Sequence, residues 1–174
     1  MTAIDMESPP NDLEIRATCF AEKHGLTISG GLGAGFDGSV FVTSRHSAIK
    51  VFRFDRLYLR ERDVYQRLQQ NDVTTVMGFQ VPQLLNFDDE LLVVEMTIVN
   101  PPFVLDFAGA YLDQRPDYPE EVLEEWRAEK AEQFSDGWPI VRLIMSTFAA
   151  LGIYLADVKP GNIEFAPPWD NRPA

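Results

Sequence analysis

Basic residues are scarce in this chain: 15 lysines and arginines face 27 aspartates and glutamates, leaving a net charge of −12 over 174 residues. A surface that negative repels polyanions, so nucleic acid is not expected as a partner unless a local basic patch overrides it. A small anion held by a local cradle and a divalent cation is compatible with such a charge. Cysteine is almost absent as well. The single one, Cys19, can form no internal disulfide and has no metal-ligand spacing around it, so it reads as a buried small hydrophobe. No apolar run approaches the length of a membrane span, and Met1 to Pro10 is acidic and polar where a secretory leader would be basic and then apolar. A cytoplasmic protein with no membrane partner is expected. No internal repeat appears. With 45% hydrophobic and 24% charged residues, the chain has the composition of an ordinary globule, one domain or two small lobes sharing an interface.

The stretch richest in chemistry is Tyr154-Leu155-Ala156-Asp157-Val158-Lys159-Pro160-Gly161-Asn162-Ile163. It sets a carboxylate, an ammonium and a side-chain amide close together in one loop. In phosphoryl transfer an Asp accepts the proton of the attacking hydroxyl, a nearby Lys balances charge, and an Asn five residues after the Asp holds Mg²⁺. Those roles would fall to Asp157, Lys159 and Asn162. The same residues also suit an ordinary surface turn, since Pro, Gly and Asn are common in turns. The upstream sequence decides between the two.

From Asn11 or Asp12 to about Lys23 a packing helix is expected, with Leu13, Ala17, Phe20 and Ala21 on its apolar side and Gly25 as its stop. The period then changes to strand, glycine loop, strand. Leu26 to Ser29 alternates, a glycine cluster follows, and Ser39 to Thr43 is β-branched and aromatic. Within the cluster, Gly33-Ala34-Gly35-Phe36-Asp37-Gly38-Ser39-Val40 fits G-x-G-x-x-G-x-V. A dinucleotide fingerprint would need a helix directly after the glycines, and none is expected there. A hairpin flap over a nucleotide fits better, with a plain glycine-rich hairpin as the alternative. Next comes Ala48-Ile49-Lys50-Val51-Phe52, an apolar strand interrupted by one lysine, which is costly to bury without an anion. The following helix, Asp55 to Gln70, has an apolar stripe of Leu57, Val64, Tyr65 and Leu68. Glu61 is the only charge on that stripe, so Lys50 is its expected partner.

Taken in order, Gly33-x-Gly35-x-x-Gly38-x-Val40, Ala48-Ile49-Lys50, Glu61 and Asp157-x-Lys159-Pro160-x-Asn162 resemble the protein-kinase-like superfamily over about residues 26 to 165. The resemblance implies an α+β, two-lobe fold. Residues 1–25 would be an extension and helix, 26–100 an N-lobe with an antiparallel sheet and one helix, and 101–174 a reduced helical C-lobe. It further implies ATP and Mg²⁺ as cofactors, with Gly33, Gly35, Gly38, Val40, Ala48, Lys50 and Glu61 at the nucleotide and Glu95-Met96 at the adenine hinge. Beyond Pro102 short helices are expected over Phe107–Leu112 and Tyr118–Phe134. A last helix after Trp138 would carry a core stripe of Ile140, Leu143, Ile144, Thr147, Phe148 and Leu151.

The chain departs from the family pattern in three places. Leu155-Ala156 stand where His-Arg usually precedes the catalytic Asp, the gap from Lys50 to Glu61 is short, and no Asp-Phe-Gly follows Asn162. Only twelve residues remain after Asn162, and their one aspartate, Asp170, is the candidate for the second metal ligand. Two readings stay open. One is a compact phosphotransferase with a protein or small-molecule acceptor; the other is a pseudokinase that binds nucleotide or partners without transfer.

Overall fold

The computed structural model describes residues 12–167, so the lead-in 1–10, Asn11 and Asp170 lie outside the described residues. The chain runs α1 (Asp12–Lys23), β1 (Ile28–Ala34), β2 (Gly38–Thr43), β3 (Ser47–Phe52), α2 (Asp55–Gln70), β4 (Thr75–Val76), β5 (Phe79–Gln80), β6 (Leu84–Asp88) and β7 (Val93–Thr97). It continues through β8 (Phe103–Val104), β9 (Tyr111–Leu112), α3 (Glu120–Phe134), α4 (Trp138–Ala150), β10 (Ile153–Tyr154) and β11 (Ile163–Glu164). The class is mixed α+β, as expected.

The main sheet has five antiparallel strands in the order β1-β2-β3-β7-β6. A helix covers each face. Side chains alternate across a strand, so Ile49, Val51 and Val93 pack with Leu13, Ala17, Phe20 and Ala21 of α1. Ala48, Phe52, Val94 and Met96 face the other way, into the core that holds Tyr58, Val64, Tyr65 and Leu68 of α2. This double cover explains why all six residues of β3 are buried. The stripe of α2 is rotated slightly from expectation: Tyr58 is fully buried, whereas Leu57 is only partly so.

Most of the glycine cluster is strand. β1 pairs with β2 as far as Ala34, with Gly31 opposite Phe41 and Gly33 opposite Val40, and only 35–37 form the tip. There the Gly35 N–H donates to the Gly38 carbonyl at 2.9 Å. The expected hairpin is present, and its first arm has no side chain at Gly30, Gly31 and Gly33, with Leu32 exposed between them.

Three expectations are corrected. Cys19 is exposed: it lies about 100° around α1 from Phe20 and outside the apolar stripe. Residues 107–112 form no helix, because Asp106 and Asp113 on either side take positive φ (69° and 59°) and β9 pairs with β10 instead. On α4 the buried row is Val141, Ile144 and Phe148, while Ile140 and Leu143 are exposed. That helix carries two adjacent apolar rows, and periodicity alone does not choose between them.

A second, four-stranded sheet, β11-β8-β5-β4, positions the site. Its β8 and β11 pair antiparallel, Val104 opposite Ile163 and Phe103 opposite Glu164. This brings the chain just after the main sheet beside the segment that follows the 154–163 loop.

Candidate functional site

Lys50 is the centre of the site. Its side chain leaves β3 on the α2 face and is 9% exposed, and its Nζ lies 2.7 Å from Glu61 Oε2, 2.9 Å from Asp37 Oδ2 and 3.2 Å from Asp106 Oδ1. The pairing of Lys50 with Glu61, expected from the lone acid on the α2 stripe, is present, and Glu61 is 1% exposed. Asp37 and Asp106 were missed. One ammonium thus serves three carboxylates, whose oxygens lie within 4.8 Å of one another. Burial pulls the Lys50 pKa down, but the Glu61 and Asp106 carboxylates outweigh it, so the ammonium is held well above its ordinary value. Burial pushes the Glu61 carboxyl up to about 7; Lys50 opposes this, and the Asp106 charge adds to it. For Asp37, burial raises the carboxyl but Lys50 more than offsets it, leaving it below the usual range.

Asp106 reaches this cluster through the second sheet. It stands two residues after the end of β8, and the intervening Leu105 N–H donates to the Asn162 carbonyl at 2.9 Å. Asp106 takes a left-handed conformation that aspartate tolerates better than most residues. Phe107, fully buried, packs edge-on to Tyr65 of α2 at 5.4 Å and against Phe148 of α4 at 5.6 Å. This stretch stands before the 154–163 loop in the chain but beside it in space. Asp106 thus places a carboxylate beside Lys50 from a stretch upstream of the 154–163 loop.

In the 154–163 loop, Asp157 is the focus. Its Oδ2 accepts from Lys159 Nζ at 2.7 Å and from Asn162 Nδ2 at 2.9 Å, and Asn162 Nδ2 also lies 2.8 Å from the Asp157 carbonyl. The backbone N–H groups of Asn162 and Ile163 close the turn on the Lys159 carbonyl at 2.9 and 3.0 Å. Val158 and Asn162 are buried, which anchors the loop, while Asp157 and Lys159 remain accessible. The hydrogen bond to Asp157 raises the Lys159 pKa, and the charges of Asp106 and Asp37 add to the effect. Asp157, Lys159 and Asn162 do not line the cavity beside Lys50; the loop is joined to the stretch carrying Asp106 by the Leu105–Asn162 backbone hydrogen bond.

A cavity of about 480 Å³ opens beside Lys50, within the range of small-molecule sites. The predicted Gly33, Gly35, Gly38, Val40, Ala48, Lys50, Glu61 and Met96 line it together with Asp37 and Asp106, which the sequence did not single out. A Cβ at Gly33 would meet nothing within 4 Å, whereas one at Gly38 would lie 1.9 Å from the Val51 carbonyl oxygen. Gly38 is thus required by strand packing. Met96 accepts a hydrogen bond from the Tyr65 hydroxyl at its sulfur, 3.0 Å away. The Glu95 side chain does not line this cavity; it is held by Ser47 Oγ at 2.6 Å and Asn86 Nδ2 at 3.2 Å. A role at a hinge would fall to its backbone.

No family model matches the chain, and no curated protein matches it. Among solved structures, the chain is similar to APH(2'')-IIa in a ternary complex with streptomycin and ATP, at 13% identity and a TM-score of 0.41, over 58% of this chain and 30% of that one. It is similar to APH(2'')-IIa in a complex with gentamicin at 16% identity and a TM-score of 0.42, over 84% of this chain and 41% of that one. The chain thus spans less than half the length of these structures. Likeness at this level assigns neither activity nor acceptor to it.

Proposed function

We propose that this chain is an ATP-dependent phosphotransferase of the protein-kinase-like type. The observation that carries the reading is the convergence on one cavity of a buried ammonium with carboxylates from three separate stretches, Glu61 on α2, Asp37 in the glycine hairpin and Asp106 beside Asn162. Three carboxylates around one ammonium leave a surplus of negative charge. That donor set suits a divalent cation, because Mg²⁺ takes oxygen ligands from one or two carboxylates and from phosphates. Asn162 donates its side-chain N–H to Asp157, which leaves its amide oxygen as an acceptor for such an ion.

On this reading Asp106 and Asn162 hold Mg²⁺, Lys50 meets the α/β-phosphates, and Glu61 orients Lys50. The Gly33 to Gly38 hairpin covers the phosphates, where absent side chains let backbone N–H groups approach. Val40, Ala48 and Met96 flank the base. Bound there, ATP supplies the phosphoryl group and Mg²⁺ offsets its charge. Asp157, held by Asn162 and Lys159, accepts the proton of the acceptor hydroxyl.

The test is Mg²⁺-dependent phosphate release from ATP by the parent chain, Asp157→Asn and Asp106→Asn. Both variants should lose about 10²-fold or more in rate. Full activity in Asp106→Asn with loss in Asp170→Ala would move the metal ligand to the tail. ATP binding without turnover in the parent would make the chain a nucleotide-binding module.

A further inference from the structure

A second cavity, of about 520 Å³, lies between α3, α4 and the strand that leads into the 154–163 loop. Its wall ends at Leu155 and Ala156, so it adjoins Asp157 along the backbone. The lining is mainly apolar and aromatic, with Tyr118, Trp126 and Met145 among its residues. Its charge is unusual for this protein. In a chain of net charge −12, the wall includes Arg115 and Arg127 and no aspartate or glutamate. Arg127 is tied to Glu120 on the helix outside the wall, at 2.7 Å, whereas among the described residues Arg115 makes no ion pair.

We propose that this cavity is the acceptor site, and that the acceptor is a small, flat, largely apolar molecule carrying one anionic group and a hydroxyl. The inference rests on the phosphotransferase reading, which makes Asp157 the group that faces the hydroxyl. Aromatic rings and a methionine sulfur favour a flat apolar body. Arg115, with no ion pair among the described residues, favours an anion, and the absence of carboxylates from the wall disfavours a polycation. In the transfer, the acceptor oxygen bonds to the γ-phosphorus as that phosphorus parts from its bridging oxygen; the hydroxyl proton goes to Asp157 and ADP leaves.

Three probes of one shape test the assignment by titration calorimetry on the full chain: 6-hydroxy-2-naphthoate, 2-naphthol and 6-(aminomethyl)-2-naphthol. The naphthoate should bind up to about fivefold more tightly than the naphthol, the size of one exposed ion pair, and the ammonium compound most weakly. Arg115→Glu should reverse the order of the two charged probes. Ser146→Trp, an exposed α4 position on the cavity wall, should weaken all three by about tenfold or more. Unchanged thermal unfolding checks that both variants fold. Tightest binding of the ammonium probe, or naphthoate binding indifferent to Ser146→Trp and Arg115→Glu, would overturn the acceptor assignment while ATP binding at Lys50 stood. Failure of the parent to bind ATP would sink the phosphotransferase reading, and the acceptor role with it.

Discussion

Lys50→Met removes the one cation from a cluster of three carboxylates, and the cost should depend on pH in a way set by Glu61. Deleting one member of a buried ion pair costs about 3–5 kcal/mol when the other charge is left behind. Glu61, 1% exposed, is the carboxylate most fully left behind, since Asp37 and Asp106 keep about a quarter of their side-chain surface in water. In the parent, Glu61 titrates at about 7 in the folded chain against an ordinary 4.5. Without the ammonium it rises further, so above pH 7 the folded variant holds a proton that the folded parent has released. The unfolded chains release it in both cases. Stability falls with pH wherever the folded state binds more protons, so each pH unit above 7 should widen the gap by about 1.4 kcal/mol. Below 7 both folded forms carry the proton, and the gap should be flat. The assay is urea unfolding followed by tryptophan fluorescence, from about pH 6 to about pH 9. Adding Glu61→Gln to Lys50→Met should abolish the slope and recover much of the loss. A gap that stays constant over the whole range would refute the burial and coupling argued for this pair.

In the parent, the same shift makes Glu61 a stabilising group when protonated. Its contribution, about 3 kcal/mol, should be complete below pH 4.5 and lost as pH rises toward 7, so Glu61→Gln should flatten the unfolding free energy over that window. Gly38→Ala should lower stability by about 1–3 kcal/mol in thermal or urea unfolding, because its Cβ would meet the Val51 backbone, whereas Gly33→Ala should be far milder. Asp37→Asn removes a carboxylate 2.9 Å from Lys50, where an anionic phosphate would otherwise compete, and should tighten ATP binding by roughly fivefold in calorimetry.

The parts legible from sequence are those with a single apolar row and a single exception to it. α2 shows its boundaries in the pattern, and Glu61 stands out as the one acid on the buried side, which leads directly to Lys50. α1 is equally plain, from Leu13 to Ala21. Asp106 is not legible because its place beside Lys50 depends on the pairing of β8 with β11, a long-range contact that leaves no local pattern in the sequence. Asp37 was hidden as an unspecified position inside a glycine motif. Phe107 to Leu112 was misread because an apolar run with two alanines looks helical, while the left-handed backbone at Asp106 and Asp113 leaves no periodic trace. The rotation of the α4 stripe has the same origin, two apolar rows competing for one face.

The central claim is that the Lys50 cluster is a Mg²⁺–nucleotide site, and calorimetric titration of ATP with and without Mg²⁺ tests it most directly. The account predicts one ATP per chain in the parent, tighter binding with Mg²⁺, loss of binding in Lys50→Met, and in Asp106→Asn retention of the Mg²⁺-free affinity without the gain from the metal. No heat of binding from ATP in the parent under either condition, or a Mg²⁺ effect undiminished in Asp106→Asn, would contradict it.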